Sequence, residues 1–153
     1  MSEWKLIQTQ KDIDELMEYF YGFHDTCINS ISYVSGNKVN EDRSMVFGTL
    51  DDYKLNIVFD SQWKSQIELC FTGVRRMHLV GLEDNYSNDI FDASISFYNN
   101  ILPSKHTTPK RVIVWADDSS FDIKDIDNSL SEPSITYIIA HELKWRKIDG
   151  PVN

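Results

Sequence analysis

After residue 26 the apolar side chains of this chain recur, segment after segment, at every second position. Leu55, Ile57 and Phe59 form one such series, and Ile67, Leu69 and Phe71 form the next. A period of two throws successive side chains to opposite faces of an extended backbone, so these segments can bury one face only as strands. Other segments read the same way. Cys27–Val34 is rich in β-branched residues and ends at the turn pair Gly36-Asn37, and Met45–Leu50 runs into Asp51-Asp52. Met77 and Leu79 continue the Ile67, Leu69 and Phe71 series past Gly73, which gives one bent strand or two. Phe91, Ala93, Ile95 and Phe97 share one side, and Arg111–Ala116 is a short β-branched run. Ile135, Tyr137, Ile139, His141, Leu143 and Trp145 are expected on one face of the longest strand, residues 135–146.

One segment breaks this pattern. Thr9 stands where an N-cap belongs, with Asp12 three residues on, and Ile13, Leu16, Met17 and Phe20 follow at helical spacing. Asp12, Asp14, Glu15 and Glu18 take the other side, so a helix is expected over 10–21, ending in a left-handed cap at Gly22. Short turns and no crossover helices argue for antiparallel pairing. The expected fold is α+β: one N-terminal helix packed on a mostly antiparallel curved sheet or flattened barrel of about seven or eight strands. At 153 residues it is a single domain, 1–153, long enough to hold a core without metal or disulfide.

Composition excludes several functions. With 41% hydrophobic and 25% charged residues, collagen-like and disordered classes fall away. Twenty-four acids against fifteen bases leave −9, which makes nucleic acid and anionic membrane poor partners. The start, Met1-Ser2-Glu3-Trp4-Lys5, has neither the basic opening nor the apolar run of a signal peptide. Cys27 and Cys70 sit among apolar neighbours and are expected as buried, reduced thiols, so a cytoplasmic location is expected.

No catalytic motif is found. There is no G-x-S-x-G elbow, P-loop or G-x-G-x-x-G, and apolar surroundings would raise a thiol pKa. His141-Glu142 begins like H-E-x-x-H, but the fifth position is Trp145, and a strand sends the two side chains to opposite faces. No two histidines have ligand spacing, so neither a metal nor another cofactor is expected. Asp51-Asp52, Glu83-Asp84 and Asp117-Asp118 read as turn formers.

The charge is localised. Residues 10–25 carry −4 and residues 117–132 carry −5, so together they hold the whole −9. The second stretch mixes Asp117, Asp118, Asp122, Asp125 and Asp127 with Phe121, Ile123 and Ile126. Acids with apolar anchors steer and then grip a basic partner, which makes Asp117, Asp118, Phe121, Asp122, Asp125 and Asp127 candidate partner-binding residues. Phe23-His24-Asp25 lies where helix hands over to strand. Phe23 is expected to plug the gap between them, while His24 and Asp25 satisfy backbone groups or contact a ligand.

Tyr21-Gly22-Phe23-His24-Asp25-Thr26-Cys27-Ile28, Gln66–Val74 and Ala140–Trp145 resemble small bacterial proteins of unknown function that carry a Phe-His-Asp motif. Some of these are grouped with the immunity proteins of polymorphic toxin systems. The resemblance brings no catalytic residues; it implies a non-enzymatic protein that neutralises a cognate toxin by binding it. Two other classes stay open. One is a small-molecule binder with a cavity lined by Phe59, Phe71, Phe97 and Trp145. The other is a hydrolase built on His24 and Asp25 in an open cleft.

Overall fold

The computed structural model describes residues 3–82, 87–124 and 135–148. A short strand β1 (Lys5–Ile7) leads into helix α1 (Gln10–Tyr19). Thr9 caps it as a reciprocal box: its hydroxyl accepts from the Asp12 amide at 3.2 Å, and Asp12 Oδ2 accepts from the Thr9 amide at 2.9 Å. The helix stops at Tyr19, two residues short of expectation. Gly22 is the centre of a separate 3-10 turn, Tyr21–Phe23, rather than the cap of the helix.

Strands make up most of the rest: β2 (Thr26–Val34), β3 (Lys38–Val39), β4 (Met45–Val46), β5 (Lys54–Ser61), β6 (Ile67–His78), β7 (Ser94–Asn99), β8 (Arg111–Ala116) and β9 (Tyr137–Lys147). Seven of these nine described strands form one sheet, ordered β2-β5-β6-β9-β8-β7 with β1 also on β9, and every pairing in it is antiparallel. Along one edge, β9 pairs with β8 through Tyr137–Ala140 and with β1 through Leu143–Trp145. β3 and β4 form a separate two-stranded arm. The fold is α+β, as the alternation implies.

The sheet is strongly staggered and is not closed. Among the described residues, its two ends are bridged where Ile90, just before β7, pairs with Thr26 at the start of β2. α1 covers the inner face. Ile13, Leu16 and Phe20 pack with Leu55, Ile57, Phe59, Leu69, Phe71, Ile113, Trp115, Leu143 and Trp145. Each fully buried Leu or Phe contributes about 1.5–3 kcal/mol, so this cluster carries most of the stability. A smaller cluster on the opposite face joins Val112, Val114, Tyr137 and Ile139 with Phe121 and Ile123.

Three expectations need correction. β9 does not keep one face: Ile138 and Ala140 enter the main core with Leu143 and Trp145, whereas Tyr137 and Ile139 face the smaller cluster. The side chains change faces at His141-Glu142, across from Gly73 (φ 71) and the bulge after Val74 in β6. The longest strand is β6 with 12 residues, since β9 has 11. Cys27 is exposed, because Thr26 is the one buried residue of β2 and the strand turns to solvent from its second position; Cys70 is buried. Both thiols are free, and β5 lies between their strands. No described helix is long and apolar enough to cross a membrane.

Candidate functional site

The seam between β2 and the lead-in to β7 is built on the motif Tyr21-Gly22-Phe23-His24-Asp25. Tyr21, Gly22, Phe23 and Asp25 all have positive φ, between 53° and 63°. Three of them are not glycine, and such a conformation costs about 1–2 kcal/mol each. Long-range backbone bonds hold them there. Asp25 N–H donates to the Ile90 carbonyl at 3.0 Å, Ile90 N–H to the Thr26 carbonyl at 2.7 Å, and Ala93 N–H to the Gly22 carbonyl at 2.9 Å. The Thr26 hydroxyl donates to the Phe23 carbonyl at 2.7 Å. Phe23 is the expected plug: fully buried, it meets the rings of Phe20, Phe59 and Trp115 edge-on, with centroids 5.0–5.7 Å away.

With Phe23 turned inward, the backbone presents His24 and Asp25 outward. His24 Nδ1 lies 3.0 Å from Asp25 Oδ2, and the same oxygen accepts the Trp63 indole N–H at 2.9 Å. Asp25 therefore joins the β2 lead-in to the β5–β6 hairpin. The His24 ring leans on Phe91, centroids 4.7 Å apart. Lys64 stands 4.9 Å over the Tyr19 ring and 5.4 Å over that of Tyr21.

Trp63 thus touches Asp25 and Phe91 touches His24, while Tyr21 lies three residues before His24 with its ring beneath Lys64, and all three aromatics stay outside the core. Tyr21 is 55% exposed, Trp63 63% and Phe91 72%. Beside them is a cleft of about 280 Å³, lined by Asp25, Thr26, Cys27, Asp60, Ser61, Gln62 and Asp89. Its carboxylates are engaged: Asp60 accepts from Asn29 Nδ2 at 2.6 Å and Gln66 Nε2 at 2.7 Å, and Asp89 accepts from Ser87. Among the described residues, no group of three His, Cys, Asp or Glu side chains is arranged to hold a metal ion. No described serine or cysteine side chain is hydrogen-bonded to His24 either.

The acidic stretch begins next to this patch. Ser119 N–H donates to Asp92 Oδ1 at 3.3 Å, and Asp92 follows Phe91. Asp117 accepts from the Thr136 amide at 3.0 Å, and Asp118 accepts from the Ser120 amide and hydroxyl at 2.8 and 2.7 Å. Asp122 accepts from the Lys124 amide at 3.0 Å and is exposed. Phe121 and Ile123 turn onto the smaller cluster, Phe121 with its ring 5.7 Å from Tyr137. The acids thus line the outside while their apolar companions face inward. Asp125 and Asp127 lie outside the described residues.

The two candidate groups, separate in sequence, come together through Phe91 and Asp92. Trp63 and Phe91 went unrecognised as site residues. Their one local signal is position: Trp63 lies in a turn between Gln62 and Lys64, where no sheet face is available to bury it.

On the far side of the sheet, His141 is held between two arginines. Its Nε2 lies 3.3 Å from Arg75 Nη1 and its Nδ1 3.2 Å from the Arg111 carbonyl, while Arg75 Nη2 donates to the Pro103 carbonyl at 2.9 Å. Arg75 has only donors, so Nε2 accepts and Nδ1 carries the proton of a neutral ring. His141 and Arg111 border a cleft of about 290 Å³ with Asp51, Thr72 and Glu142.

No family model, curated protein or solved structure matches this chain.

Proposed function

We propose that this chain is a non-enzymatic protein-binding domain of the immunity type, acting in the cytoplasm to neutralise a basic toxin domain by occupying its surface. The observation that carries this reading is the pair of exposed aromatics Trp63 and Phe91 on Asp25 and His24, with exposed Tyr21 in the same turn and Asp92 linking them to the stretch that holds Asp117 and Asp118. Monomer surfaces seldom gather large apolar groups without a use, and Trp and Tyr are the residues most often found to anchor interfaces. Acids at the rim would raise the association rate of a basic partner, and the net charge of −9 extends that steering field. The resemblance to immunity proteins supplies the toxin as the partner.

Small-molecule binding finds less support. Phe59, Phe71 and Trp145 are buried in the main core, and Phe97 packs at its margin beneath the Arg111 guanidinium, 4.1 Å from the ring centroid. None of the four lines either cleft described above.

The test is capture from lysates of the producing cells by the tagged full chain. A basic protein should be retained at low salt and released as salt rises. Trp63→Ala and Phe91→Ala should each weaken that complex about 30-fold, equivalent to about 2 kcal/mol, mainly by faster dissociation. Both side chains are largely exposed, so the loss of the Trp63–Asp25 hydrogen bond or of the Phe91–His24 contact should cost no more than about 1 kcal/mol of stability, leaving the chain folded. Retention unaffected by the double substitution would defeat the proposal.

A further inference from the structure

We infer that the outer edge of β2, together with the β3–β4 arm that connects β2 to β5, pairs with the same edge of a second copy of this chain. β2 is laddered to β5 from Thr26 to Val34, but on its other side the one described pairing is the Thr26–Ile90 bridge. Past Ile28 every residue of β2 is exposed, so neither a strand nor the helix covers that half. Edge strands are ordinarily protected from further pairing by charges, proline or brevity. Here residues 29–34, beyond the Thr26–Ile90 bridge and the register shift between Ile28 and Ser30, run without charge or proline, since Thr26 to Asn37 holds neither.

Apolar exposure is concentrated on the same segment. Of the thirteen large hydrophobics exposed among the described residues, seven lie between Ile31 and Phe47: Ile31, Tyr33, Val34, Val39, Met45, Val46 and Phe47. The three aromatics of the seam are a separate group, so the molecule has two apolar surfaces of different character. Charge distinguishes their occupants. The seam is acidic and suits a basic partner, whereas residues 26–50 are neutral overall, with Lys38 and Arg43 against Glu41 and Asp42.

Two copies of a −9 chain repel one another over most of their surface, and an electrically neutral strip is where they can touch. A twofold axis also runs the two β2 strands antiparallel, the arrangement the rest of the sheet uses, and gives each edge an identical partner. A short ladder alone is too small for a stable dimer. A standard interface takes roughly 800 Å² per partner, so the exposed apolar residues of the arm, Val39, Met45, Val46 and Phe47, must be covered as well.

Sedimentation equilibrium or light scattering of the intact chain over a range of concentrations tests this. The expected result is a mass of twice 17.8 kDa, returning to 17.8 kDa in Tyr33→Lys and Ile31→Lys, with the circular dichroism spectrum unchanged and a melting temperature that no longer depends on concentration. Phe47→Ser on the arm should weaken the dimer without touching the ladder. A chain that stays monomeric at every concentration overturns the inference, and so does a dimer that survives all three substitutions. A monomer whose partner capture is lost on Tyr33→Lys would assign the edge to a partner's strand, which also overturns it. Binding through Trp63 and Phe91 is read separately and should be unchanged in the lysine variants.

Discussion

His141 shows how far a single residue's chemistry is decided by its neighbours. Burial lowers its pKa below the ordinary 6.5 and the Arg75 charge lowers it further, while the Arg111 carbonyl and Glu142 pull the other way. Protonation would also point Nε2–H at the Arg75 guanidinium, 3.3 Å away. Gly73 leaves the ring little room to turn aside, since a Cβ there would stand 3.1 Å from His141 Cβ. The unfolded chain therefore takes up this proton first, so the histidine's contribution is complete above 6.5 and is lost as pH falls below it. Urea unfolding at about pH 7 and about pH 5.5 should show the loss in the wild type and a shallower one in His141→Gln. Equal slopes would mean that the ring is protonated in place.

Among the elements, α1 is the one most fully determined by its own residues. Thr9 and Asp12 close a capping box, and the amides of Gln8 and Thr9 hold the Asp12 carboxyl below its usual pKa. Thr9→Ala should cost about 1 kcal/mol by urea denaturation, with no change in the depth of the native circular dichroism signal. The same spacing recurs unnoticed at Thr49 and Asp52, which cap the 3-10 turn Leu50–Asp52. β9 is the opposite case. Its first half is apolar at consecutive positions, Tyr137-Ile138-Ile139-Ala140, because both faces of the sheet are covered there. Reading such a run as simple alternation misassigns its faces, and the switch at His141-Glu142 depends on the bulge in β6 opposite.

At the scale of the molecule, two apolar clusters share one sheet. Phe23 belongs to the larger, fully buried among three rings, whereas Phe121 lies half-buried over the smaller. Phe23→Ala should cost about 3–5 kcal/mol, and Phe121→Ala distinctly less. Both should leave a single unfolding transition by fluorescence and circular dichroism, because β8 and β9 contribute to both clusters and cannot release one alone. Separate transitions would show that the smaller cluster is a satellite that opens independently.

The features set by the sequence alone are those made within a few residues. Thr9 with Asp12 starts a helix, alternating Leu55, Ile57 and Phe59 make a strand, and short connections make its neighbours antiparallel. Phe23-His24-Asp25 could likewise be placed at a junction, with Phe23 inward, because Gly22 and the end of the helical pattern are local signals. Only the tertiary structure decided that Asp25 reaches Trp63, that His24 rests on Phe91, and that Asp92 ties the acidic stretch to both. Those contacts depend on the stagger that brings the lead-in to β7 round to the start of β2, and on bulges that change which face a side chain occupies. Stagger accumulates over the whole sheet, and the bonds that settle it join residues as distant as Gly22 and Ala93, whose spacing in the chain carries no sign that they will meet.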